Sequence, residues 1–499
     1  MSILSLLIVV PLLFAIISLF AKQNMVRGIS LIGNCIQLLL VCYIGYEFLQ
    51  VRDLNPGEMT FTARHIWYES FGIEYYIGLD GISIVMIALT AIVGLTGTLI
   101  SWKIEKNPRE FFFLLSMMSI GAYGFFISLD LFTLFFFLEL AVIPKFLLIA
   151  KWGSGKKEYS AMKLALMLMG GSALILTGIL ALKYHTSGIF GPGSFSMMQI
   201  AQQGVSHDVQ LYIFPLLFAG FGIFTALFPF HTWVPDGHSS APTAASMFLA
   251  GISMKLGGYG CLRVAVYLLP EAAQDYSGII VALSTIAIIY GAFATLRQTD
   301  LKYINAYSSV SHCGFVLFGI SMLTKTAVMG AVMQMVSHGL MTALFFGVIG
   351  MIYERTHTRN LADLGGLLKV MPFIGAVYVI AGLCSLGLPG FSGFVSEMTI
   401  FTGSWEVNKI GYRIATLLAC ASIVVTAVYI LRATGKAVMG PITNPEFLHL
   451  KDAAWYEKSA GIILILVILL IGVLPFLFTG MISSETDILF QQFSSCSMP

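Results

Sequence analysis

The sequence predicts an all-α protein that crosses a membrane many times. Of its 499 residues, 58% are hydrophobic and only 10% are charged, whereas soluble domains carry about 25% charged residues. The apolar runs are about 20 residues long, which is the length that a helix needs to span a bilayer. A transmembrane barrel would instead show short segments that alternate between apolar and polar residues. The composition therefore predicts a polytopic helical membrane protein.

Charge and cysteine content exclude several other classes of protein. The net charge is only +2, so nothing indicates nucleic acid as a partner. The seven cysteines form no CxxC pair, and most of them lie inside apolar runs. This pattern predicts neither a metal cluster nor a disulfide framework.

The apolar runs predict about fourteen spanning helices. The first run lacks the basic start and the small-residue cleavage site of a signal peptide, so we interpret it as a spanning helix. The predicted segments lie near residues 2–21, 28–50, 80–102, 109–128, 130–150, 160–184, 210–230, 241–269, 277–296, 303–323, 326–353, 371–404, 411–434 and 459–481.

Two of these segments are interrupted at membrane depth. One break is expected at residues 228–230 (FPF), at the end of the seventh segment, and the other at residues 386–393 (LGLPGFSG), inside the twelfth. Irregular backbone at that depth is tolerated only where protein or a water-filled cavity surrounds it. A pair of such breaks in two halves of a chain is typical of the inverted repeats of ion transporters. Ordinary proline kinking is the alternative interpretation.

The loop lysines and arginines predict the orientation of the chain. Most lie in the odd-numbered loops, and the even-numbered loops hold only Arg52, Arg64, Lys325 and Lys409. Because cytoplasmic loops carry the excess of positive charge, we expect the odd-numbered loops in the cytoplasm and both termini on the outer, periplasmic side of the inner (plasma) membrane. The polar and aromatic loop 51–79 then suits an interfacial hairpin on the outer side.

The other segments are arranged around the stretch 230–259, which reads FHTWVPDGHSSAPTAASMFLAGISMKLGGY. It starts at the first break, continues through an expected polar hairpin at residues 236–240, and enters a helix predicted at 241–269. Asp236 and His238 lie in the hairpin, where they could simply cap that helix. The helix carries Lys255 near its middle, where a lysine costs about 2.5–3.5 kcal/mol to insert. Such residues mark ion paths or internal charge pairs.

Glu139 is a second ionisable residue at membrane depth. It follows Asp130, at the start of the fifth segment, by nine residues, which is roughly 14 Å of helix rise in an apolar core about 30 Å thick. A carboxylate at that depth needs a partner or takes up a proton. Glu139 is therefore a candidate proton carrier, with a static ion pair between helices as the alternative.

Three further residues extend this set. His312 and His338 lie on the tenth and eleventh segments, and imidazole, which titrates near neutral pH, suits a proton relay. Each could equally be a hydrogen-bonded core residue. Glu397 follows the second break, where a carboxylate beside unwound backbone suits the uptake or release of an ion. Together with Lys255, these residues indicate a chain of titratable groups.

Several long motifs resemble one family. The residues HTWVPDGHSSAPTAASMFLAGISMKLGGYGCLR, AYSSVSHCGFV, QMVSHGL, YERTHTRNLADLGG and SLGLPGFSGFVSE resemble the antiporter-like M subunits of proton-translocating NADH-quinone oxidoreductase, respiratory complex I. The similarity runs from about residue 75 to residue 435. The short C-terminus is similar to the M subunits and not to the related L subunits, which carry a long lateral helix.

The resemblance implies a division of the chain. Residues 1–108 would hold three N-terminal helices and the outer hairpin loop, residues 109–269 and 277–434 two inverted five-helix repeats (helices 4–8 and 9–13), and residues 435–499 the last helix and a short tail. It also implies a line of charged residues across the membrane. By resemblance, the members of this line are the fifth-helix glutamate Glu139, the eighth-helix lysine Lys255, the relay residues His312 and His338, and the twelfth-helix exit residue Glu397.

One residue that the family usually has is missing. The family places a lysine on the seventh helix to pair with the fifth-helix glutamate, and the matching position here is Phe224. Lys145 is a candidate substitute, six residues after Glu139 and directly after Pro144. That spacing gives about 600° of rotation and about 9 Å of rise, which a proline kink and a flexible side chain would have to shorten. We hypothesise that Lys145 supplies the cation that biases Glu139; the alternative is that Lys145 extends to the cytoplasmic surface.

The expected function is proton translocation through this intramembrane relay, driven by electron transfer from NADH to quinone in other subunits. The sequence shows no dinucleotide, haem or cluster motif, so NADH, FMN and iron–sulfur clusters are expected in partner subunits, and this chain is an enzyme only as part of the complex. Expected partners are other membrane-arm subunits, notably antiporter-like ones, together with lipids and protons. The alternatives are a subunit of a multi-subunit sodium/proton antiporter, a relative linked to hydrogenase or ferredoxin, and a structural subunit whose channel has decayed.

Overall fold

The chain is a bundle of membrane-spanning helices. The computed structural model describes residues 2–52, 59–186, 193–483 and 486. Within these ranges, 11 helices are long and apolar enough to cross a membrane. Three further crossings are built from broken, π-bulged or more polar helices, and together they account for the predicted segments. The expected short tail beyond residue 483 lies almost entirely outside the described residues.

The first part of the chain contains six long helices and a β-hairpin. In order, its elements are α1 (Ile3–Phe20), α2 (Val26–Arg52), β1 (Thr60–Tyr68), β2 (Ile73–Leu79), α3 (Gly81–Ile100), α4 (Pro108–Ile127), α5 (Leu131–Trp152), α6 (Lys157–His185) and α7 (Met197–Gln203). The strands are antiparallel, with Arg64 opposite Tyr76, so the expected hairpin in loop 51–79 is confirmed. Its β-structure follows from alternating β-branched and aromatic residues.

The first break is confirmed, but it begins earlier than predicted. Helix α8 (His207–Thr225) ends at Ala226, whose φ of 71° is left-handed, and the amide of Leu227 caps the carbonyl of Gly222 at 2.8 Å. The chain then forms a short helix α9 (Trp233–Ser240). The polar hairpin expected at 236–240 is therefore wrong.

Helix α9 forms for two physical reasons. Pro235 lies in its first turn, where the missing amide proton is not needed. The indole of Trp233 donates to the carbonyl of Ile223 at 3.0 Å and fixes α9 against the end of α8. These tertiary contacts outweigh the turn-like composition of the segment.

The eighth crossing is a helix with two widened turns. It consists of α10 (Thr243–Phe248), a π turn (Leu249–Ser253), α11 (Met254–Gly260) and a second π turn (Cys261–Val266). Single π turns inside α-helices are frequent at functional sites. Lys255 lies directly after the first one, near the middle of this crossing as predicted.

The second half of the chain contains the remaining helices. They are α12 (Pro270–Arg297), α13 (Leu301–Ser321), α14 (Lys325–Thr356), α15 (Leu367–Val370), α16 (Pro372–Ser385), α17 (Ser392–Trp405), α18 (Ile410–Ala437) and α19 (Trp455–Val473). The predicted single segment 371–404 is two half-helices, α16 and α17, so the second break is also confirmed. The connection between them contains Gly387 and Gly390, both with positive φ.

Helix α14 is the centre of the bundle. The most apolar part of α14 is 100% buried, compared with 28% for α1 and for α2. It packs against α3, α10, α13, α16, α17 and α19. A helix this deeply enclosed brings the residues of several neighbours to one line, and this line holds the candidate site.

Candidate functional site

The first group of site residues is centred on Lys255. Its ammonium donates to the carbonyl of Ala250, in the first π turn, and lies 2.8 Å from Nδ1 of His338 on α14. Lys255 and His338 are each only 1% exposed. The π turn and the central helix thus bring together two titratable groups that are 83 residues apart in sequence.

The second histidine continues this contact. The ring of His312 on α13 stacks on that of His338 with centroids 5.3 Å apart and planes at 28°. Nδ1 of His312 lies 3.3 Å from Oε1 of Glu397 on α17. The structure therefore brings the four predicted residues Lys255, His338, His312 and Glu397 into one buried series, which we call the histidine cluster.

The second break shapes the end of the histidine cluster. Helix α16 ends at Ser385, whose hydroxyl lies 3.2 Å from Nε2 of His312. A Cβ at position 387 would lie 2.7 Å from Oε2 of Glu397, and the φ of Gly387 is +70°. Only glycine lets the unwound backbone pass so close to the carboxylate in this conformation.

The other two predicted residues lie on α5. Glu139 is half-buried and accepts a hydrogen bond from Ser172 on α6. The side chain of Lys145 is 0% exposed, and its Nζ lies 6.0 Å from the centre of the Phe224 ring. Lys145 interacts electrostatically with Glu139, while its ammonium has no hydrogen-bond partner within the described residues. We call Glu139, Lys145, Ser172 and Phe224 the glutamate–lysine cluster.

The position of Lys145 bears on the two interpretations of this residue. Its side chain points into the bundle, toward the ring that occupies the expected place of the seventh-helix lysine. The surface alternative for Lys145 is therefore not what the structure shows. A cation over an aromatic face at this distance is weakly attracted by the ring, which partly offsets the cost of burying it.

The short helix α9 contributes groups that the sequence assigned to a loop. Asp236 pairs with Lys163 at 2.7 Å, and His238 stacks on Phe346 with centroids 5.0 Å apart. Helix α10 begins at Thr243, and Pro242 before it provides no side-chain cap, so the capping interpretation of Asp236 and His238 is wrong. His238 is fully buried and interacts electrostatically with Lys255.

A polar pocket of about 590 Å³ opens next to α9. Its lining includes Ser160, Asp236, Ser240, Tyr303 and Arg359. The guanidinium of Arg359 donates to the carbonyl of Ser239 at 2.8 Å. Hydroxyl, carboxylate and guanidinium groups thus line the pocket, and two of its lining residues, Ser239 and Ser240, directly follow the buried His238 in the chain.

Sequence reasoning missed several polar residues that contact the histidine cluster. Gln334 lies 3.3 Å from Nδ1 of His312, and the thiol of Cys313 lies 3.7 Å from Nδ1 of His338. Gln334 precedes His338 by four residues, so both occupy one face of α14. That spacing was a usable signal, whereas the contact of Ser385 depends on the second break and had no local signature.

Geometry of this kind is typical of ion-translocating membrane subunits, and sequence comparison identifies the family. The family described as NADH:quinone oxidoreductase/Mrp antiporter, TM, matches residues 128–426. The chain therefore belongs to the family of transmembrane subunits of NADH:quinone oxidoreductases and Mrp antiporters.

Individual relatives make the similarity more specific. The chain is 35% identical to the NADH-quinone oxidoreductase subunit M of Rickettsia bellii (strain RML369-C), over 91% of this chain and 90% of the relative. It is 36% identical to an NAD(P)H-quinone oxidoreductase chain 4 of Synechococcus sp. (strain JA-2-3B'a(2-13)), over 95% of this chain and 90% of the relative.

Solved structures show the same fold. A chain of respiratory complex I from Thermus thermophilus matches with a TM-score of 0.89 at 25% identity, covering 98% of this chain and 99% of that one. A chain of the Mrp complex from Dietzia sp. DQ12-45-1b matches with a TM-score of 0.81 at 18% identity, covering 99% and 98%. The second likeness concerns the fold alone.

Proposed function

We propose that this chain is a proton-translocating membrane-arm subunit of an NADH-quinone oxidoreductase. The observation that carries the proposal is the buried series from Lys255 through His338 and His312 to Glu397, in a chain that resembles subunit M over nearly its whole length. Four titratable groups that contact one another in succession inside a membrane protein are costly to bury. Proton transfer would explain why these groups are buried together, whereas a purely structural role would not.

The chemistry would use two hydrogen-bond contacts of the histidine cluster, and the stacked rings of His338 and His312 between them would be coupled through their charge. The ammonium of Lys255 already donates to Nδ1 of His338, so it can pass its proton to that nitrogen. His312 can pass the Nδ1 proton to Oε1 of Glu397. Each transfer changes the charge beside the next group, and in a low-dielectric interior that change alters the affinity of the neighbour for its proton. Protonation states along the series are therefore coupled.

The glutamate–lysine cluster would control this series. Glu139 accepts from Ser172 and experiences the charge of Lys145, so the carboxylate is stabilised as an anion whenever Lys145 is protonated. Lys145 replaces the cation that the family usually places at the position of Phe224. A lysine held inside the bundle without a hydrogen bond argues against a decayed channel, because an unused buried charge is strongly destabilising.

The arrangement in the membrane is part of the proposal. The charge of the loops supports both termini on the outer side of the plasma membrane. The two broken crossings, α8–α9 and α16–α17, support a division into two five-helix repeats at residues 109–269 and 277–434, flanked by residues 1–108 and 435–499. NADH, FMN and iron–sulfur clusters would belong to partner subunits, and other antiporter-like subunits would be its neighbours in the membrane arm.

Purification through a tag on this chain tests the proposal. The expected particle contains many subunits, transfers electrons from NADH to quinone, and acidifies or alkalinises the lumen of vesicles after reconstitution. Glu139→Gln should abolish this translocation, because the amide cannot carry a proton or a charge. A particle of small membrane subunits without NADH oxidation would contradict the proposal and favour the antiporter. Full translocation by Glu139→Gln would instead exclude a role for this channel.

A further inference from the structure

Gln334 lies against the histidine cluster, between the helices that carry His312 and Glu397. It is on α14, one turn before His338, and is 1% exposed. Its Nε2 lies 3.3 Å from Nδ1 of His312 on α13, and its Oε1 accepts from the hydroxyl of Ser396 on α17. The amide therefore connects the histidine to the helix that carries Glu397.

Nδ1 of His312 faces two partners with opposite requirements. The Gln334 amide nitrogen can only donate, so it needs a lone pair on Nδ1. Oε1 of Glu397, at 3.3 Å, needs a proton on Nδ1 when it is ionised. A single ring nitrogen cannot satisfy both at once. The two contacts are therefore alternatives that correspond to two protonation states of His312.

The surroundings can accommodate both states. The hydroxyl of Ser385, 3.2 Å from Nε2 of His312, can donate or accept. The hydroxyl of Ser396 lies within reach of Gln334 and also 3.0 Å from the carbonyl of Gly393. When Ser396 donates to Gly393, its oxygen is free to accept, and the Gln334 amide can reverse. The last side-chain torsion of glutamine is broad and roughly two-fold, so the Gln334 amide can turn over without a change in its other side-chain torsions.

We propose that Gln334 acts as a positioning residue that makes proton transfer from His312 to Glu397 directional. In the transfer, the Nδ1–H bond of the imidazolium breaks and an O–H bond forms on Glu397, which leaves His312 neutral with its proton on Nε2. The Gln334 N–H then donates to the vacated Nδ1 lone pair and opposes return of the proton. This role rests on the proposed function, because it requires that protons pass along the histidine cluster.

Other groups around this point also carry charge or protons. They are Lys255 on α11, Cys313 on α13, His338 on α14, Cys384 on α16, Glu397 on α17, and Cys420 and Tyr429 on α18. Any pH dependence of translocation reflects this whole set. The discriminating measurement is therefore translocation against an opposing gradient, which reports back-transfer rather than overall protonation.

Gln334→Met tests the proposal in the intact complex reconstituted into vesicles. The variant keeps the volume of the side chain but cannot donate, so proton return is no longer opposed. We expect translocation against an imposed proton gradient to fall about fivefold more than translocation without a gradient, the effect of one neutral hydrogen bond. Gln37→Met is the matched control, since Gln37 is also buried in the membrane part but bonds the carbonyl of Leu7, at 3.0 Å, and no residue of the histidine cluster among the described residues.

A second variant covers the case in which Gln334→Met does not assemble. Ser396→Ala leaves Gln334 in place but removes the group that orients it, so it should show the same weakness against a gradient, to a smaller extent. Wild-type behaviour of Gln334→Met, or of Ser396→Ala alone if the former does not assemble, would overturn the proposal. Failure of the wild-type and Gln37→Met complexes to translocate would instead refute the proposed function.

Discussion

The two clusters hold their lysines in different ways. In the histidine cluster, Lys255 donates directly to a titratable group, His338. In the glutamate–lysine cluster, Lys145 is equally buried but interacts with Glu139 only through space, beside the ring of Phe224. A hydrogen-bonded lysine can exchange its proton with its partner, whereas an isolated one acts through its charge.

This difference predicts that the two lysines differ in how strictly their positions are fixed. A proton carrier needs a particular atom at hydrogen-bond distance. A charge that biases a neighbour needs only to lie in the same low-dielectric region, because Coulomb energy falls slowly with distance. The cation of the glutamate–lysine cluster should therefore tolerate a change of position from α5 to α8, whereas Lys255 should not tolerate such a change.

Of the two lysine substitutions, Lys255→Met should produce the larger effect. It removes the ammonium that donates to His338 and leaves Nδ1 of this ring with only the weak thiol of Cys313 as a partner, so we expect proton translocation to fall by roughly tenfold or more. Vesicles with the reconstituted complex, energised with NADH, provide the measurement. Lys183→Met is the control. Lys183 lies in the last turn of α6, outside both clusters, and its ammonium donates to the carbonyl of Phe71. Wild-type translocation by Lys255→Met would show that the histidine cluster is not the path.

Lys145→Met should have a smaller effect, which a second substitution reverses. We expect a loss of about fivefold, because Glu139 loses a through-space partner rather than a direct one. Lys145→Met combined with Phe224→Lys restores a cation in the same space, since Nζ of Lys145 lies 6.0 Å from that ring. The double variant should recover to within about twofold of wild type.

The control for this pair is Phe224→Lys alone. It places two like charges in one buried space, so we expect poor assembly, at a cost of several kcal/mol. If the double variant translocates no better than Lys145→Met, the cation is tied to its position on α5, and the distinction between the two clusters fails.

The sequence predicted the charged members of both clusters better than the neutral ones. Lys255 and Glu139 were conspicuous because an ionisable residue inside an apolar run is costly, and that cost needs no structure to recognise. Gln334 and Ser172 were not, because neutral polar residues occur on many helix faces. Only the packing of α13, α14 and α17 shows that Gln334 touches His312.

The same contrast between local signals and tertiary packing explains which parts of the fold could be predicted from the sequence. Helix number and the two breaks follow from the lengths of apolar runs and from proline and glycine, which are local properties. Helix α9 was missed because its composition resembles a turn, and it is held by the Trp233–Ile223 contact and by Arg359 on the carbonyl of Ser239. The local pattern indicated titratable residues suited to proton transfer, and the resemblance to a family supplied the position of each one in the expected line of charges.

Gly387→Ala tests how far the histidine cluster depends on the backbone next to Glu397. The alanine would adopt a left-handed φ, at a cost of about 1–2 kcal/mol, and its Cβ would lie 2.7 Å from Oε2 of Glu397. We expect lower thermal stability and a two- to threefold loss of translocation, roughly half a hydrogen bond's effect, because the carboxylate is displaced from His312. Thermal unfolding and translocation are measured on the same preparation.

Gly390→Ala separates the effect of backbone strain in the break from the effect of displacing the Glu397 carboxylate. Gly390 also has a left-handed φ, of 96°, but nothing lies within 4 Å of the position of its Cβ. This variant should lose similar stability and keep its translocation rate. Equal loss of translocation in both variants would mean that the flexibility of the break, and not the place of Glu397, limits proton transfer.

The smallest effect is expected for an ion pair outside the membrane segments. Arg64 and Glu74 pair across the β-hairpin, with the side chain of Arg64 47% exposed, and the hydrogen bonds to Glu74 raise the pKa of the guanidinium. Exposed pairs contribute about 0–1 kcal/mol, because water screens both charges. Arg64→Gln should therefore leave translocation unchanged and shift the thermal unfolding of the complex very little. A loss comparable with that of Lys145→Met would mean that the hairpin itself takes part in translocation, and that burial is not what distinguishes the charges of the two clusters from the rest.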